Sequence, residues 1–127
     1  MLSRGLISGH WSPERSDTPG DFRNSSPRFS GDNLDANLKL VEALRAVAEG
    51  KGVSVAQIAI AWVLAQGQDI VPLVGARRRE RLAEALGALD VQLSAADLQA
   101  VEEAVPAGSA AGDRYIAAQM AHLDSEK

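Results

Sequence analysis

The sequence predicts an incomplete α/β domain, mostly helical, with one clear strand at about residues 69–74. Three observations carry this. Apolar residues recur at helical spacing through most of residues 33–127, which is the signature of amphipathic helices. A single short apolar run, Ile70-Val71-Pro72-Leu73-Val74, ends in Gly75 as a buried parallel strand would. One strand cannot make a sheet, because its backbone N–H and C=O groups need partners. Either the missing strands lie elsewhere, or two copies of the chain exchange them. Residues 1–127 therefore read as one partial domain, loop-rich over 1–32 and helical, with that strand, over 33–127.

Each element has its own signal. Residues 1–32 are rich in Ser, Gly, Pro, Arg and Asp and lack apolar periodicity, so they read as loop. Leu34, Leu38, Val41, Leu44 and Ala48 recur a helical turn apart, and Gly50 and Gly52 stop the run. Ser54 with Gln57 three residues later has the form of a capping box. It opens a second helix over residues 55–65, apolar on almost every side and closed by Gly67, which other elements must enclose. Pro72 sits awkwardly in the strand, since proline is tolerated mainly at sheet edges and irregularities. A third helix is expected over about 78–86, followed by Gly87. Ser94 caps a fourth over 95–104, which Pro106 closes. Residues 107–112 form a small, flexible tail, and 115–123 form a last short helix. No internal repeat is present.

Composition narrows the functions. The 127 residues suffice for one domain with a modest core. At 46% hydrophobic and 24% charged residues, the composition is that of a soluble globular protein. A net charge of −4 argues against a broadly nucleic-acid-binding or anionic-membrane-binding surface, so any basic site is local. Without cysteine there are no disulfides, no thiolate chemistry and no zinc-thiolate centre. His10 and His122 lack the spacing of a metal site, so no metal ligand is expected. The N-terminal apolar run is too short for a signal peptide. The most hydrophobic stretch, residues 53–64, falls short of the roughly 20 residues that span a bilayer. A cytoplasmic location is the default expectation.

The best candidate site is the strand-to-helix junction Val74-Gly75-Ala76-Arg77-Arg78-Arg79-Glu80-Arg81-Leu82-Ala83-Glu84-Ala85-Leu86. Gly75 lets backbone approach a ligand closely. The helix start offers unpaired N–H groups and a positive dipole end, which suit an anion. Arg77 and Arg81 are four residues apart and share a face if the helix starts early enough, with Glu84 one turn beyond. Two guanidinium groups there can hold a phosphate while the carboxylate takes a sugar hydroxyl or an adenine amine. The plainer reading is a solvated Arg-rich turn, with Glu80 and Glu84 pairing to arginines for about 0.2–0.5 kcal/mol each. Against it, cations near a helix N-terminus are disfavoured by the dipole. Arg77, Arg78 and Arg79 thus sit where they cost stability unless an anion is present.

These residues, Gly75-Ala76-Arg77-Arg78-Arg79-Glu80-Arg81-Leu82-Ala83-Glu84 followed by Leu86, resemble the motif after the last barrel strand of the aldo-keto reductases. Four further segments are similar in order: Asp21-Phe22-Arg23 with Pro27-Arg28-Phe29 and residues 33–37; residues 52–65; Ile70-Val71-Pro72-Leu73; and Ala110-Ala111-Gly112-Asp113-Arg114-Tyr115. The resemblance runs from Leu2 to near the C-terminus. It implies the C-terminal part of a (β/α)₈ barrel, a fold that needs about 250 residues. By the same resemblance the cofactor is NADP(H). Gly75, Arg77, Arg81 and Glu84 would contact its adenosine end, and Leu2 and Arg4 would lie in the loop across its pyrophosphate. Ala85 departs from the family, where an amide side chain often contacts adenine; alanine has no such hydrogen bond to give.

The family's catalytic tyrosine, lysine, aspartate and histidine lie on early barrel strands, so no catalytic residue is expected here. Tyr115, His10 and His122 fall in tail or loop contexts and read as surface. Trp62 reads as core, Trp11 as packing on the barrel rim, and Asp21, Arg23 and Arg28 as a solvated loop pairing. The leading expectation is a fragment of an NADP(H)-dependent oxidoreductase acting on a small carbonyl substrate, starting at what is normally an internal position and inactive alone. Its partner is a nicotinamide dinucleotide, with no nucleic acid and no membrane. The alternative is a small helix-turn-helix-like binding module around Gly50-Lys51-Gly52. Its second helix is too apolar to expose base-reading side chains. A third outcome is a chain that folds poorly alone and exposes residues 55–64.

Overall fold

A stripe of apolar residues organises the longest helix, α1 (Gly31–Gly50). Leu34, Val41, Leu44 and Ala48 are buried along it, and Leu38 packs against the same core. The computed structural model of the chain describes residues 2–12 and 19–123. Asp32 in the first turn of α1 complements the helix dipole.

Helix α2 (Val55–Leu64) starts where its capping box predicts. Ser54 Oγ accepts from Gln57 N at 3.2 Å, and Gln57 Oε1 accepts from Ser54 N at 3.0 Å. The helix crosses α1 at 85°. Val55, Ala56, Ile58, Ile60 and Ala61 are buried, so most sides of α2 are enclosed, and Ile58 is 0% exposed. Trp62 is half-buried against the same cluster, and Trp11 packs edge-to-face on core residue Phe29 with ring centroids 5.8 Å apart. No single helix among the described residues is long and apolar enough to cross a membrane.

The predicted strand at 69–74 is not there; the described residues contain no strand at all. Val71 and Leu73 are 79% and 81% exposed, and the segment runs extended and irregular between α2 and α3 (Arg79–Leu86). A strand is held by its ladder of hydrogen bonds, and among the described residues no segment pairs with this one to form it. The local sequence is apolar enough for a strand, but a strand's stability is not local.

Smaller differences have similarly plain causes. Helix α3 starts at Arg79 and runs straight into a 3₁₀ turn, Gly87–Asp90, with Gly87 in right-handed helical geometry. Helix α4 (Ala95–Ala104) matches its expected span and carries a second capping box, Ser94 with Asp97. Lys51 Nζ donates to Asp97 Oδ2 at 2.8 Å and ties the end of α1 to the start of α4. Helix α5 (Ala117–Met120) is a single turn. The loop reading of residues 1–32 needs correction: Ser3–Ser8, Phe22–Ser25 and Pro27–Phe29 are 3₁₀ segments, and Leu6 and Phe29 belong to the core. Turns this short carry no periodicity for a sequence to display.

The tail at 107–112, expected to be flexible, is pinned instead. Asn37, buried in α1, accepts from Ala111 N at 2.8 Å and donates to the carbonyls of Ala111 at 2.9 Å and Arg28 at 3.0 Å. Arg28 Nε donates to Gly112 O at 3.2 Å. Arg28 thus serves the tail, while Arg23 pairs with Asp21 through a bidentate contact.

Candidate functional site

Between the Ser3–Ser8 segment, α2 and the start of α3 lies a pocket of about 480 Å³. Leu2, Arg4, Gly75, Arg77, Arg81 and Glu84 all line it, so the structure brings the six sequence-predicted site residues to one place. Ala56 and Ile60 of α2 form an apolar wall, and Ala85 contributes only a methyl group.

The arrangement is not the predicted one in every respect. Because α3 begins at Arg79, Arg77 precedes the helix, so Arg77 and Arg81 share the pocket but not a helix face. Arg78 is the N-cap residue, extended at φ −117 and ψ 144, and no side chain caps the first turn. That end of α3 therefore keeps donor capacity directed outward. A Cβ added at Gly75 would meet no atom within 4 Å. Protein packing thus does not require glycine there; a side chain would intrude only on what occupies the pocket.

Electrostatically the lining sets the guanidinium groups of Arg4, Arg77, Arg78 and Arg81 against one carboxylate, Glu84. This local positive excess sits on a chain of net charge −4. Glu84 is tightly held: Arg81 Nη1 lies 3.2 Å and His10 Nε2 3.0 Å from its Oε2. His10 Nε2 also contacts Arg81 Nη1 directly. Burial pushes the Glu84 carboxyl up, but hydrogen bonds from His10, Ser54 and Arg81 outweigh it and hold the pKa below its ordinary value. Glu84 is therefore ionised at neutral pH and acts only as an acceptor. Among the described residues Arg77 makes no ion pair, and Arg78 meets Glu80 only at 3.9 Å with both side chains exposed.

Arg4 is set in place from several sides. Its Nη1 donates to Ser26 Oγ at 2.8 Å, and its guanidinium carbon lies 4.3 Å from the Tyr115 ring centroid. Its backbone, like that of Ser3, is left-handed, at φ 57 and φ 45. Non-glycine residues pay about 1–3 kcal/mol for that conformation, and such strain clusters at ligand sites.

His10 reads as surface from the sequence, yet it lines the pocket beside Glu84. Its contact with Glu84 spans 74 positions, and no local spacing announces it. No group of three or more His, Cys, Asp or Glu side chains able to hold a metal ion occurs among the described residues.

The pocket is net-positive, apolar along one wall and open at a helix start. The sequence profile described as the aldo/keto reductase family matches residues 2–106, and the chain belongs to that family, whose fold is the (β/α)₈ barrel. A Glycine max protein named "Probable aldo-keto reductase 1" is 40% identical over 114 residues, covering 90% of this chain and 33% of the relative. An aldo-keto reductase of Schizosaccharomyces pombe, whose name carries NADP(+), is 37% identical over 114 residues, covering 90% of this chain and 34% of the relative. One from Strobilurus tenacellus is 32% identical over 124 residues, covering 98% of this chain and 37% of the relative. The chain thus spans about a third of the length of the curated relatives it matches.

Proposed function

We propose that this chain supplies the adenosine-phosphate end of the NADP(H) site of an aldo-keto reductase, and that the whole protein transfers hydride between that cofactor and an aldehyde or ketone. One observation carries the reading: the pocket gathers four guanidinium groups around a helix start and beside a glycine whose missing Cβ leaves open space. An adenosine 2′-phosphate fits that donor set. Arg77 and Arg81 would clamp the phosphate, since guanidinium forks bind phosphate oxygens bidentately. Glu84, held ionised, would accept from a ribose hydroxyl or the adenine amine, and Gly75 would let the nucleotide lie against the backbone. Leu2 and Arg4 would run along the pyrophosphate. Ala85 leaves adenine without an amide partner, so the phosphate dominates recognition. When bound, the nicotinamide ring supplies the hydride; the residues here bind and orient the other end of the molecule.

Titration of the chain with 2′-phospho-AMP tests this. Saturable binding that falls about 10- to 100-fold in Arg77→Ala and in Arg81→Ala is expected, the magnitude of one charged hydrogen bond each. Binding insensitive to both substitutions would sink the assignment. Random duplex DNA serves as the competing probe. A helix-turn-helix function would need α2 to present side chains to a groove, whereas Ile58, Ile60 and Ala61 of that helix are buried.

A further inference from the structure

Tyr115 lies more than a hundred residues from Arg4 in sequence, yet the Arg4 guanidinium carbon sits over its ring, 4.3 Å from the centroid. We propose that the C-terminal tail is a latch that positions Arg4 at the pocket, so that the docked tail sets how tightly the chain holds a dinucleotide as opposed to its adenosine-phosphate end alone. This rests on the cofactor reading above and adds to it a positioning residue, Tyr115, outside the pocket lining.

Arg4 needs such a device. It leaves the backbone from two successive left-handed residues, a conformation that the local sequence disfavours and that surrounding contacts must hold. Its backbone carbonyl accepts from Arg23 Nη1 at 3.3 Å, and its side chain meets Ser26 Oγ at 2.8 Å and the Phe22 ring at 6.0 Å, all from the same short stretch of chain. Tyr115 adds a contact from a different direction. A ring face attracts the guanidinium charge without taking up an oxygen acceptor, so it holds the group in place while leaving N–H donors for other partners. With Nη1 bonded to Ser26, donors remain for an anion.

The latch is built immediately upstream of the ring. Asn37, only 3% exposed, bonds both the N–H and the carbonyl of Ala111, and Arg28 Nε bonds the carbonyl of Gly112 at 3.2 Å. Gly112 has φ +78, and a Cβ there would lie 2.9 Å from the carbonyl carbon and oxygen of Pro27. Glycine is thus required twice at this position, by conformation and by space. A tail merely lying on the surface needs no such residue. The docking fixes where the chain stands three residues before Tyr115, and so where its ring meets Arg4.

Two probes separate the latch from the pocket beneath it: NADPH, which carries the whole pyrophosphate assigned to Arg4, and adenosine 2′-monophosphate, which carries none of it. Measured on the full chain, Tyr115→Ala should weaken NADPH about three- to tenfold, the range of a partly exposed cation–π contact. Affinity for adenosine 2′-monophosphate should stay within about twofold. Tyr115→Phe should restore NADPH binding, because the ring and not the hydroxyl makes the contact. Gly112→Ala, which undocks the tail and leaves the ring intact, should reproduce the selective loss even if Tyr115→Ala folds badly. Equal weakening of both probes would reduce Tyr115 to general scaffolding and overturn the proposal, as would a Tyr115→Phe protein no better than Tyr115→Ala. A wild-type chain that binds neither probe would instead refute the cofactor reading itself, and the latch with it.

Discussion

Ile58→Ala tests whether α2 is the hub of this chain's own core. Ile58 is 0% exposed, the one large side chain among the described residues buried that completely, and it lies where α2 packs against α1. Truncation removes three carbons and leaves a cavity that rigid helices on several sides cannot fully close. Such substitutions cost about 2–5 kcal/mol. A chain of this length has a total stability on the order of 5–15 kcal/mol, so the loss is a large fraction of it. The companion substitution is Val71→Asp. If residues 69–74 were a buried strand, placing a charge there would be as damaging as the cavity. At 79% exposure it should instead fall within about 0.5 kcal/mol of wild type. Urea unfolding followed by circular dichroism measures both. A midpoint barely moved by Ile58→Ala, or strongly lowered by Val71→Asp, would refute this assignment of what is core and what is surface.

Ser94→Ala removes the side chain that accepts from Asp97 N at 3.2 Å and should lower stability by about 1 kcal/mol, read as a shift in the thermal melt. Asp97 should also shape the acid limb of stability. Hydrogen bonds from Lys51 and then Ser94 hold its pKa at about 2, below its ordinary 3.8. A carboxyl depressed on folding stabilises above its unfolded value and loses that contribution as pH falls through the folded one. Melting temperature should therefore decline between about pH 3.8 and about pH 2, and Asp97→Asn should flatten that decline. Arg81→Ala removes a half-exposed ion pair to Glu84 and should change the melt little, about 0.2–1 kcal/mol, however strongly it affects ligand binding. Arg77→Ala, which breaks no ion pair among the described residues, should leave stability unchanged.

How much of this was legible in the sequence depends on how local each cause is. The stripe Leu34–Val41–Leu44–Ala48 and the two serine caps act within a turn or two, and both the stripe and the caps appear where the residues predict. The strand was misread because Ile70 to Val74 carry the right apolarity, but the partners that would make it a strand are not encoded nearby. Gly75, Arg77, Arg81 and Glu84 sit within ten positions, so their gathering in one pocket could be anticipated from the motif. Leu2 and Arg4 came only through the resemblance to a family, because nothing in their own neighbourhood points to a ligand. His10 and Asn37 were invisible for one reason: each acts through a contact spanning 74 positions. An Asn on an otherwise apolar helix stripe is a signal worth following, since a buried amide must find partners.

On the proposed reading, the pocket between Arg4 and Glu84 recognises the 2′-phosphate of a nicotinamide dinucleotide. That recognition is tested most directly by titrating the chain with NADP⁺ and with NAD⁺, which differ only in that phosphate. NADP⁺ should bind at least about tenfold more tightly, with the preference abolished in the Arg77→Ala, Arg81→Ala double variant. Equal affinities for the two dinucleotides in the wild-type chain would contradict it.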